Sequence, residues 1–358
     1  IYAKSVHWGS SIVLDPRNPD KILMASGNGV FNCDNIWDKK DVQFYFNPNG
    51  VEEVVAYDYF SVQGGNGYSA IADYDGFIHS NITEIGYQYK PNIGFTSVIY
   101  ACRQNPKIMI RYGNENALYS EDGGMTWTKF PNSGGKGGRG AIAKIDEIYW
   151  IFHSNDTIIN YSDDFGETWT QSKGIEGTKD IGLLVEDNNP KIMYAVTVQK
   201  GKDGKDIYIL GVSNDGGINF DTQEICNYDN SDYGNRIAYL NEGEIVISAG
   251  WGGAYVSTDF GETIKKLESV HYCKTIGYGA PEKKGDLNTL FMYGKPLKDD
   301  IEGIYRSQDG GESWVLINSK NLYGGTGNGN FIVGDMNQFG LYYMSTVGCG
   351  IIYGKIAE

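Results

Sequence analysis

The chain has 358 residues, of which 41% are hydrophobic and 21% charged, a balance that predicts a folded globular protein with a large core. Its formal net charge of -15 opposes binding to a phosphate backbone, so we expect no nucleic-acid partner. No apolar run reaches the roughly 18 residues that a membrane span requires, so we expect no membrane insertion.

Two pairs of predicted strands occupy the first part of the chain. Apolar residues predict strands at 21–25 and 29–34, and again at 69–72 and 76–80. Each pair ends at a polar turn, near residue 34 or residue 80. The 49 glycines and 27 tyrosines suit this pattern of short strands joined by tight turns.

A recurring eight-residue segment follows the later strand pairs. It has the pattern Ser-x-Asp-x-Gly-x, then Thr, Ser or Asn, then Trp or another apolar residue, which is the Asp box. The spacing of 42 to 51 residues is that of the blades of a propeller. The five copies begin at Ser120, Ser162, Ser213, Ser257 and Ser307.

The residue types of the Asp box predict a structural role. Its Asp can accept backbone N–H groups across a hairpin turn, and its Gly permits a positive φ. Its last residue, often Trp, can pack between neighbouring sheets. We therefore expect the aspartates of the boxes to lie away from any active site.

The repeats predict an all-β fold, a seven-bladed β-propeller that forms a single domain over residues 1–358. The seven blade turns are expected near residues 34, 80, 122, 164, 215, 259 and 309, the first two being degenerate boxes. A last set of strands, at 330–333, 341–344 and 350–353, has no closing box. These strands either complete a blade with a strand from elsewhere or form a partial eighth blade.

Neither the cysteines nor the histidines predict a metal or cofactor site. The five cysteines are scattered without a CxxC pair, and buried thiols are expected, with one or two disulfides as the alternative. The four histidines have no metal-ligand spacing. We expect no metal and no cofactor.

Several blocks carry a family resemblance. They are His7-Trp8 with the segments at 12–20 and 26–29, then 50–54, then 73–79, and the ending at 348–354. In order and spacing these blocks resemble the second propeller of glycoside hydrolase family 74, the xyloglucanases. The resemblance covers nearly the whole chain.

The resemblance implies a two-propeller enzyme that cleaves xyloglucan. In this family two propellers face each other across a cleft, and two aspartates, one from each, act as general acid and general base. This chain is only about one propeller long. The family's acid is expected shortly after Trp8, where Gly9, Ser10 and Ser11 stand, and the next carboxylate is Asp15. The chain alone is therefore expected to be inactive.

The sequence offers carboxylates and aromatic residues as candidate site residues. The catalytic candidates are Asp58, Asp73 and Asp75, with Glu52 and Glu53 beside them, and the alternative is that all are ordinary loop carboxylates. For the aromatic residues and histidine, the alternative to sugar stacking is core packing, and Trp251, flanked by glycines, lies in the most loop-like context. The substrate-binding candidates are Trp8, Tyr59, Tyr68, His79, Trp251 and Tyr278.

Three functions remain open from the sequence. The first is a secreted, xyloglucanase-like propeller that binds xyloglucan or another β-glucan and pairs with a second propeller domain or subunit. The second is a non-catalytic carbohydrate-binding or scaffold propeller of an extracellular assembly. The third is a sialidase, which shares Asp boxes but needs three arginines around the substrate carboxylate.

Overall fold

The computed structural model describes residues 9–27, 29–46, 53–114, 116–135, 137–155, 157–179, 181–228, 237–318, 330–346 and 348–356. Within these ranges every regular element is a β-strand, so the predicted all-β class is confirmed. Nowhere in the same ranges is there a helix that could cross a membrane.

The described strands form eight sheets, which we number in chain order. Sheet one contains β1 (Ser11–Asp15), β2 (Asn18–Ser26), β3 (Gly29–Cys33) and β4 (Tyr45–Phe46). Sheet two contains β5 (Ala56–Ser61), β6 (Gly67–Ile71), β7 (Phe77–His79) and β8 (Tyr87–Gln88). Sheet three contains β9 (Val98–Ala101), β10 (Met109–Tyr112), β11 (Ala117–Ser120) and β12 (Thr128–Lys129). Sheet four contains β13 (Arg139–Ile145), β14 (Ile148–Ser154), β15 (Ile159–Ser162) and β16 (Thr170–Gln171).

The second half of the chain repeats this arrangement. Sheet five contains β17 (Gly182–Val185), β18 (Met193–Lys200), β19 (Asp206–Ser213) and β20 (Asp221–Asn227). Sheet six contains β21 (Ile237–Asn241), β22 (Glu244–Ser248), β23 (Ala254–Ser257) and β24 (Lys265–Leu267). Sheet seven contains β25 (Tyr272–Gly279), β26 (Thr289–Lys295), β27 (Gly303–Ser307) and β28 (Val315–Leu316). Sheet eight contains β29 (Ile332–Gly334), β30 (Tyr342–Ser345) and β31 (Ile351–Gly354).

Each sheet is an antiparallel meander in which every strand pairs with the next one in the chain. The inner strands are apolar on both faces because the sheets pack on both sides. In sheet three, for example, all residues of β9 and all residues of β10 are buried. Fully buried strands of this kind read as continuous apolar runs in the sequence.

Sheets two to eight contact one another in a closed circuit. The first strand of each sheet packs against the first strand of the next, from β5 through β9, β13, β17, β21 and β25 to β29. The circuit closes because β29 and β30 pack against β5. A parallel bridge between Val54 and Cys349 further joins the start of sheet two to sheet eight.

Sheet one stands apart from this circuit. Its strands contact one another extensively, and none contacts a strand of the other seven sheets to a comparable extent among the described residues. From the sequence, this sheet is predicted as the first of seven blades, and the last set of strands either completes a blade or forms a partial eighth one. The contacts instead give the place in the circuit to sheet eight, because its strands pack between β25 and β5.

The five Asp boxes share one hydrogen-bond pattern. In the box of sheet four, the Ser162 hydroxyl donates to Asp164 Oδ1 at 2.8 Å and accepts the Gly166 N–H at 2.8 Å. Thr168 donates its backbone N–H to Asp164 Oδ1 at 2.9 Å and its hydroxyl to Oδ2 at 2.6 Å. The other four boxes make the corresponding bonds, except that in sheet five the side-chain amide of Asn219 takes the place of the hydroxyl. Every box therefore closes the turn between the third and fourth strands of its sheet.

Candidate functional site

The ring has two faces, which the strand order distinguishes. In an antiparallel meander, the loops after the first and third strands lie at one end of the sheet and the loop after the second strand lies at the other. The Asp boxes follow third strands, and we call their side the box face. Asp73 and Asp75 lie between β6 and β7, and Trp251 lies between β22 and β23, which places all three on the opposite side, the loop face.

A cavity of about 120 Å³ lies where the first strands of the seven ring sheets converge. Its lining includes Asp58 from β5, Arg139 from β13 and Tyr278 from β25. Since residues of all seven first strands line it, the cavity marks the central axis of the ring. It is large enough for several water molecules.

Asp58, a catalytic candidate, is buried at this axis. Its Oδ1 accepts the backbone N–H of Tyr59 at 2.9 Å, and its Oδ2 accepts that of Ile99 at 3.5 Å. Burial raises the pKa of Asp58 to about 6, although the charge of Arg139 and the two N–H groups act in the opposite direction. A carboxylic acid with a pKa near 6 can hold or release a proton near neutral pH.

Tyr278, a substrate-binding candidate, belongs to a cluster that crosses the axis. Arg103 forms an ion pair with Asp187, with 2.7 Å between Nε and Oδ1, and donates a hydrogen bond to the Tyr278 hydroxyl. The same guanidinium lies over the rings of Phe60 and Tyr278, 5.3 and 5.4 Å from their centroids. Tyr278 therefore faces the interior of the ring.

Asp75 and Asp73 have opposite environments although they share one turn. Asp75 is completely buried, 3.6 Å from Arg111, and its Oδ1 also accepts the Ile93 N–H at 3.0 Å. Asp73 is exposed. Both have a positive φ, 63° and 62°, as the tight turn requires. Of the three catalytic candidates, only Asp73 presents its carboxylate to solvent.

Tyr59, Tyr68 and His79 lie inside sheet two and its contacts. Tyr59 is 4% exposed and stacks on Tyr343, with ring centroids 4.2 Å apart. Tyr68 is 5% exposed and donates its hydroxyl hydrogen to the carbonyl of Gly123 in an Asp-box turn. His79 Nε2 lies 3.0 Å from the Ser69 hydroxyl, and burial lowers its pKa. These positions leave little ring surface for a sugar.

Trp251 is the substrate-binding candidate with an accessible ring. It is 56% exposed and packs at 4.3 Å, tilted by 30°, against the ring of Tyr272. Two hydrogen bonds of 2.9 Å between Gly250 and Cys273 fix its loop to the next sheet. Gly253 has a φ of 88°, which a side chain would strain. The ring is therefore held in place, with one side open on the loop face.

Two sequence candidates, Trp8 and Glu52, lie outside the described residues. The candidate roles of Asp58, Asp73, Asp75, Trp251 and the other named residues remain predictions. Sequence reasoning missed the buried arginines Arg103 and Arg111 and the axial Arg139. Each is an isolated basic residue outside any sequence motif. Its surroundings become apparent only when strands that are distant in the sequence pack together.

No disulfide joins the five cysteines, all of which are described. In the described part of the chain, His, Cys, Asp and Glu side chains form no group of three or more that could hold a metal ion.

Comparison with known proteins identifies relatives along nearly the whole chain. No family model matches it. It is 26% identical, over 98% of its length, to an oligoxyloglucan-reducing end-specific xyloglucanase of Emericella nidulans, and 28% identical, over 95% of its length, to a xyloglucanase of Paenibacillus sp. It covers 47% and 34% of those two proteins, so it spans about half of their length or less.

Two solved structures have the same fold as this chain. The glycoside hydrolase family 74 enzyme of Niastella koreensis aligns with a TM-score of 0.82 and 30% identity, over 98% of this chain and 50% of that one. The family 74 xyloglucanase of Xanthomonas campestris aligns with the same TM-score and 26% identity, over 99% of this chain and 51% of that one. Over almost its whole length, the chain is therefore homologous to one half of the glycoside hydrolase family 74 xyloglucanases.

Proposed function

We propose that this chain binds xyloglucan on its loop face and forms one wall of a glucan cleft whose other wall is a second propeller. We further propose that the chain alone does not cleave the glycan. The observation that carries the binding proposal is the exposed, fixed ring of Trp251 in a chain homologous to half of a xyloglucanase. A secreted location is part of the same proposal, because the proposed ligand is an extracellular polysaccharide.

The geometry of Trp251 supports sugar stacking. The axial C–H groups of a glucose ring form an apolar face that suits the plane of an aromatic ring. Since Tyr272 covers one side of Trp251 and the Gly250–Cys273 bridge fixes the loop, stacking on the open side would cost little ordering entropy. A neutral glycan is also compatible with the net charge of -15.

The carboxylates support the proposal that a partner is needed for cleavage. Inverting hydrolysis requires two carboxyl groups about 6.5–9.5 Å apart that flank the scissile bond. Asp75 is buried in an ion pair, and Asp58 lies at the axis of the ring. Of the three candidates, Asp73 is therefore the one whose carboxylate faces solvent. The same observation favours the second candidate function, a carbohydrate-binding propeller without catalysis.

The pairing of two described arginines counts against the sialidase alternative. A sialidase needs arginines that are available to a substrate carboxylate. Arg103 and Arg111 are instead paired with the carboxylates of Asp187 and Asp75.

The test is a binding and turnover experiment with the isolated chain. We expect xyloglucan to retard the chain in affinity electrophoresis, and we expect no new reducing ends after prolonged incubation. Migration unaffected by xyloglucan would refute the binding proposal. Release of reducing ends by the chain alone would refute the need for a second propeller. Addition of a second propeller half that restores cleavage would distinguish the enzyme half from the purely binding module.

A further inference from the structure

The cavity at the axis of the ring is a second candidate binding site, separate from the loop that carries Trp251. Its volume of about 120 Å³ corresponds to about 8–12 water molecules at 10–15 Å³ each. A single organic ligand of about ten non-hydrogen atoms would fill the same space. The cavity is therefore suited to a molecule much smaller than a glycan chain.

The charges around the cavity balance one another. Asp58 and Arg139 both line it. Burial raises the pKa of Asp58 to about 6, so its carboxylate is mostly ionised at pH 7. Arg103 also lines the cavity and is paired with Asp187, with 2.7 Å between Nε and Oδ1. An ion in this space would add a charge without a counter-charge and would lose its hydration. The cavity therefore favours a neutral ligand over an anion or a cation.

The wall of the cavity combines a hydrogen-bond acceptor with apolar surface. Asp58 is 9% exposed, and its two oxygens accept the N–H groups of Tyr59 and Ile99. A carboxylate has about four acceptor positions, so ligand hydroxyls can donate to the others. Other parts of the wall are apolar, among them Val98 and Leu184. A few polar groups within an apolar wall are typical of a small-molecule site, and a sugar offers both hydroxyl groups and C–H faces.

The two ends of the cavity differ. The first strand of each ring sheet begins at the loop face. Three partly exposed residues that line the cavity are the first residues of their strands, namely Arg139, Gly182 and Ile237. At the box face, the Arg103 side chain reaches from sheet three to Asp187 of sheet five and so crosses the axis. Entry of a ligand is therefore expected from the loop face.

We propose that the axial cavity binds one neutral sugar of pentose size, which enters from the loop face and donates hydroxyl hydrogen bonds to Asp58. A pentose matches both the volume and the charge balance of the cavity. Asp58 is then a ligand-binding group rather than a general acid or base. This site goes beyond the proposed glycan cleft and does not depend on it, because Trp251 lies between the second and third strands of sheet six, away from the first strands at the axis.

The test is titration of the full chain with D-xylose at pH 7, followed by saturation-transfer NMR. A neutral ligand of this size should bind with a Kd of about 1–10 mM. Asp58→Asn should raise the Kd by about tenfold, because a neutral amide replaces a charged acceptor. Asp163→Asn is the matched control, since Asp163 is exposed on an Asp-box turn, and it should leave the Kd unchanged.

A second variant tests the entry from the loop face. Ile237 is partly exposed at the start of β21, so a larger side chain there has room outside the core. Ile237→Trp should narrow the mouth and weaken D-xylose binding by about tenfold, a change that corresponds to about 1.4 kcal/mol. Ile85→Trp is its control, since Ile85 is 96% exposed on the turn between β7 and β8, and it should have no effect.

Four results would overturn the proposal. The first is absence of saturation transfer to D-xylose at about 50 mM, well above the expected Kd. The second is a Kd that neither Asp58→Asn nor Ile237→Trp changes. The third is displacement of D-xylose by sodium acetate, which would indicate an anion site. The fourth is loss of D-xylose binding in Trp251→Ala, which would place the sugar on the exposed ring instead. Because retardation by xyloglucan is measured separately, failure here is distinct from failure of glycan binding.

Discussion

The Asp75 carboxylate and the Arg111 guanidinium form an ion pair in which both side chains are fully buried, with Oδ1 and Nη1 3.6 Å apart. Arg111 also donates a hydrogen bond of 2.6 Å to the Pro91 carbonyl oxygen and lies over the rings of Tyr89 and Trp127. Burial lowers the pKa of Arg111 to about 10, although the charge of Asp75 opposes this shift. The pair therefore joins sheet two to sheet three and leaves Asp75 inaccessible to a glycan.

Removal of this charge should cost stability. Asp75→Asn keeps a residue type that tolerates the positive φ of 63°, so the change isolates the charge. Because Arg111 would remain buried without its partner, we expect a loss of about 3–5 kcal/mol in the free energy of unfolding. Urea denaturation of the wild type and the variant at pH 7 measures this loss in the free energy of unfolding. Asp73→Asn is the matched control, exposed and with nearly the same φ, and should change stability by less than about 0.5 kcal/mol. Equal stability of the two variants would contradict a stabilising role for the Asp75–Arg111 pair.

The raised pKa of Asp58 predicts a dependence of stability on pH. Since its pKa is about 6 in the folded state and 3.8 for an unperturbed Asp, the folded chain holds this proton more tightly than the unfolded chain. Stability from this group is therefore present below pH 3.8 and is lost as the pH rises to about 6. Between these two pH values the free energy of unfolding of the wild type should fall by about 3 kcal/mol because of this group. The Asp58→Asn variant should lack this fall. Urea unfolding of both proteins at pH 4 and pH 7 checks the prediction, and parallel pH profiles would contradict it.

The parts of the fold that were predicted from the sequence depend on local chemistry. An Asp box contains all of its hydrogen-bond partners within seven residues, as Ser162, Asp164 and Thr168 show, so its pattern survives in the sequence. The strands beside the boxes were predicted for the same reason, because alternation and turns are local. The exposed loop position of Trp251 followed from its flanking glycines.

The parts that were missed depend on contacts between distant segments. The sequence could not show that sheet eight, rather than sheet one, closes the circuit, because both consist of short antiparallel strands and the contacts that distinguish them are between distant segments. It could not place Tyr278 at the axis either, since the partner of Tyr278 is Arg103, 175 residues away. Burial of Asp75 depends in the same way on Arg111 from another sheet.

The Asp boxes should contribute individually to stability. The hydrogen bond from the Thr168 hydroxyl holds the pKa of Asp164 below its usual range. Asp164→Ala should lower the free energy of unfolding by about 1 kcal/mol at pH 7 because several hydrogen bonds to a carboxylate are lost. Asp163→Ala, at the exposed neighbouring position, is the control and should have almost no effect.

The same variant has a predicted pH signature. Because the folded pKa of Asp164 is depressed, its stabilisation is present above the unfolded pKa and disappears as the pH falls through the folded pKa. The difference between wild type and Asp164→Ala should therefore shrink in acid. Thermal unfolding followed by circular dichroism from pH 7 to pH 2.5 measures this difference, and a constant difference would argue against a charged contribution.

The last prediction concerns glycan binding by Trp251. Its ring is 56% exposed but packs on Tyr272, so Trp251→Ala should lower the free energy of unfolding by only about 1 kcal/mol. The loss of one stacking contact should weaken binding of xyloglucan oligosaccharides by roughly tenfold, which corresponds to about 1.4 kcal/mol. Isothermal titration calorimetry measures the Kd. Trp37→Ala is the control, since Trp37 is 65% exposed in the segment between β3 and β4 of sheet one, in a different sheet from Trp251, and its loss should leave binding intact. If both variants bind as the wild type does, the glycan contacts another surface, and the role of Trp251 as a stacking platform is wrong.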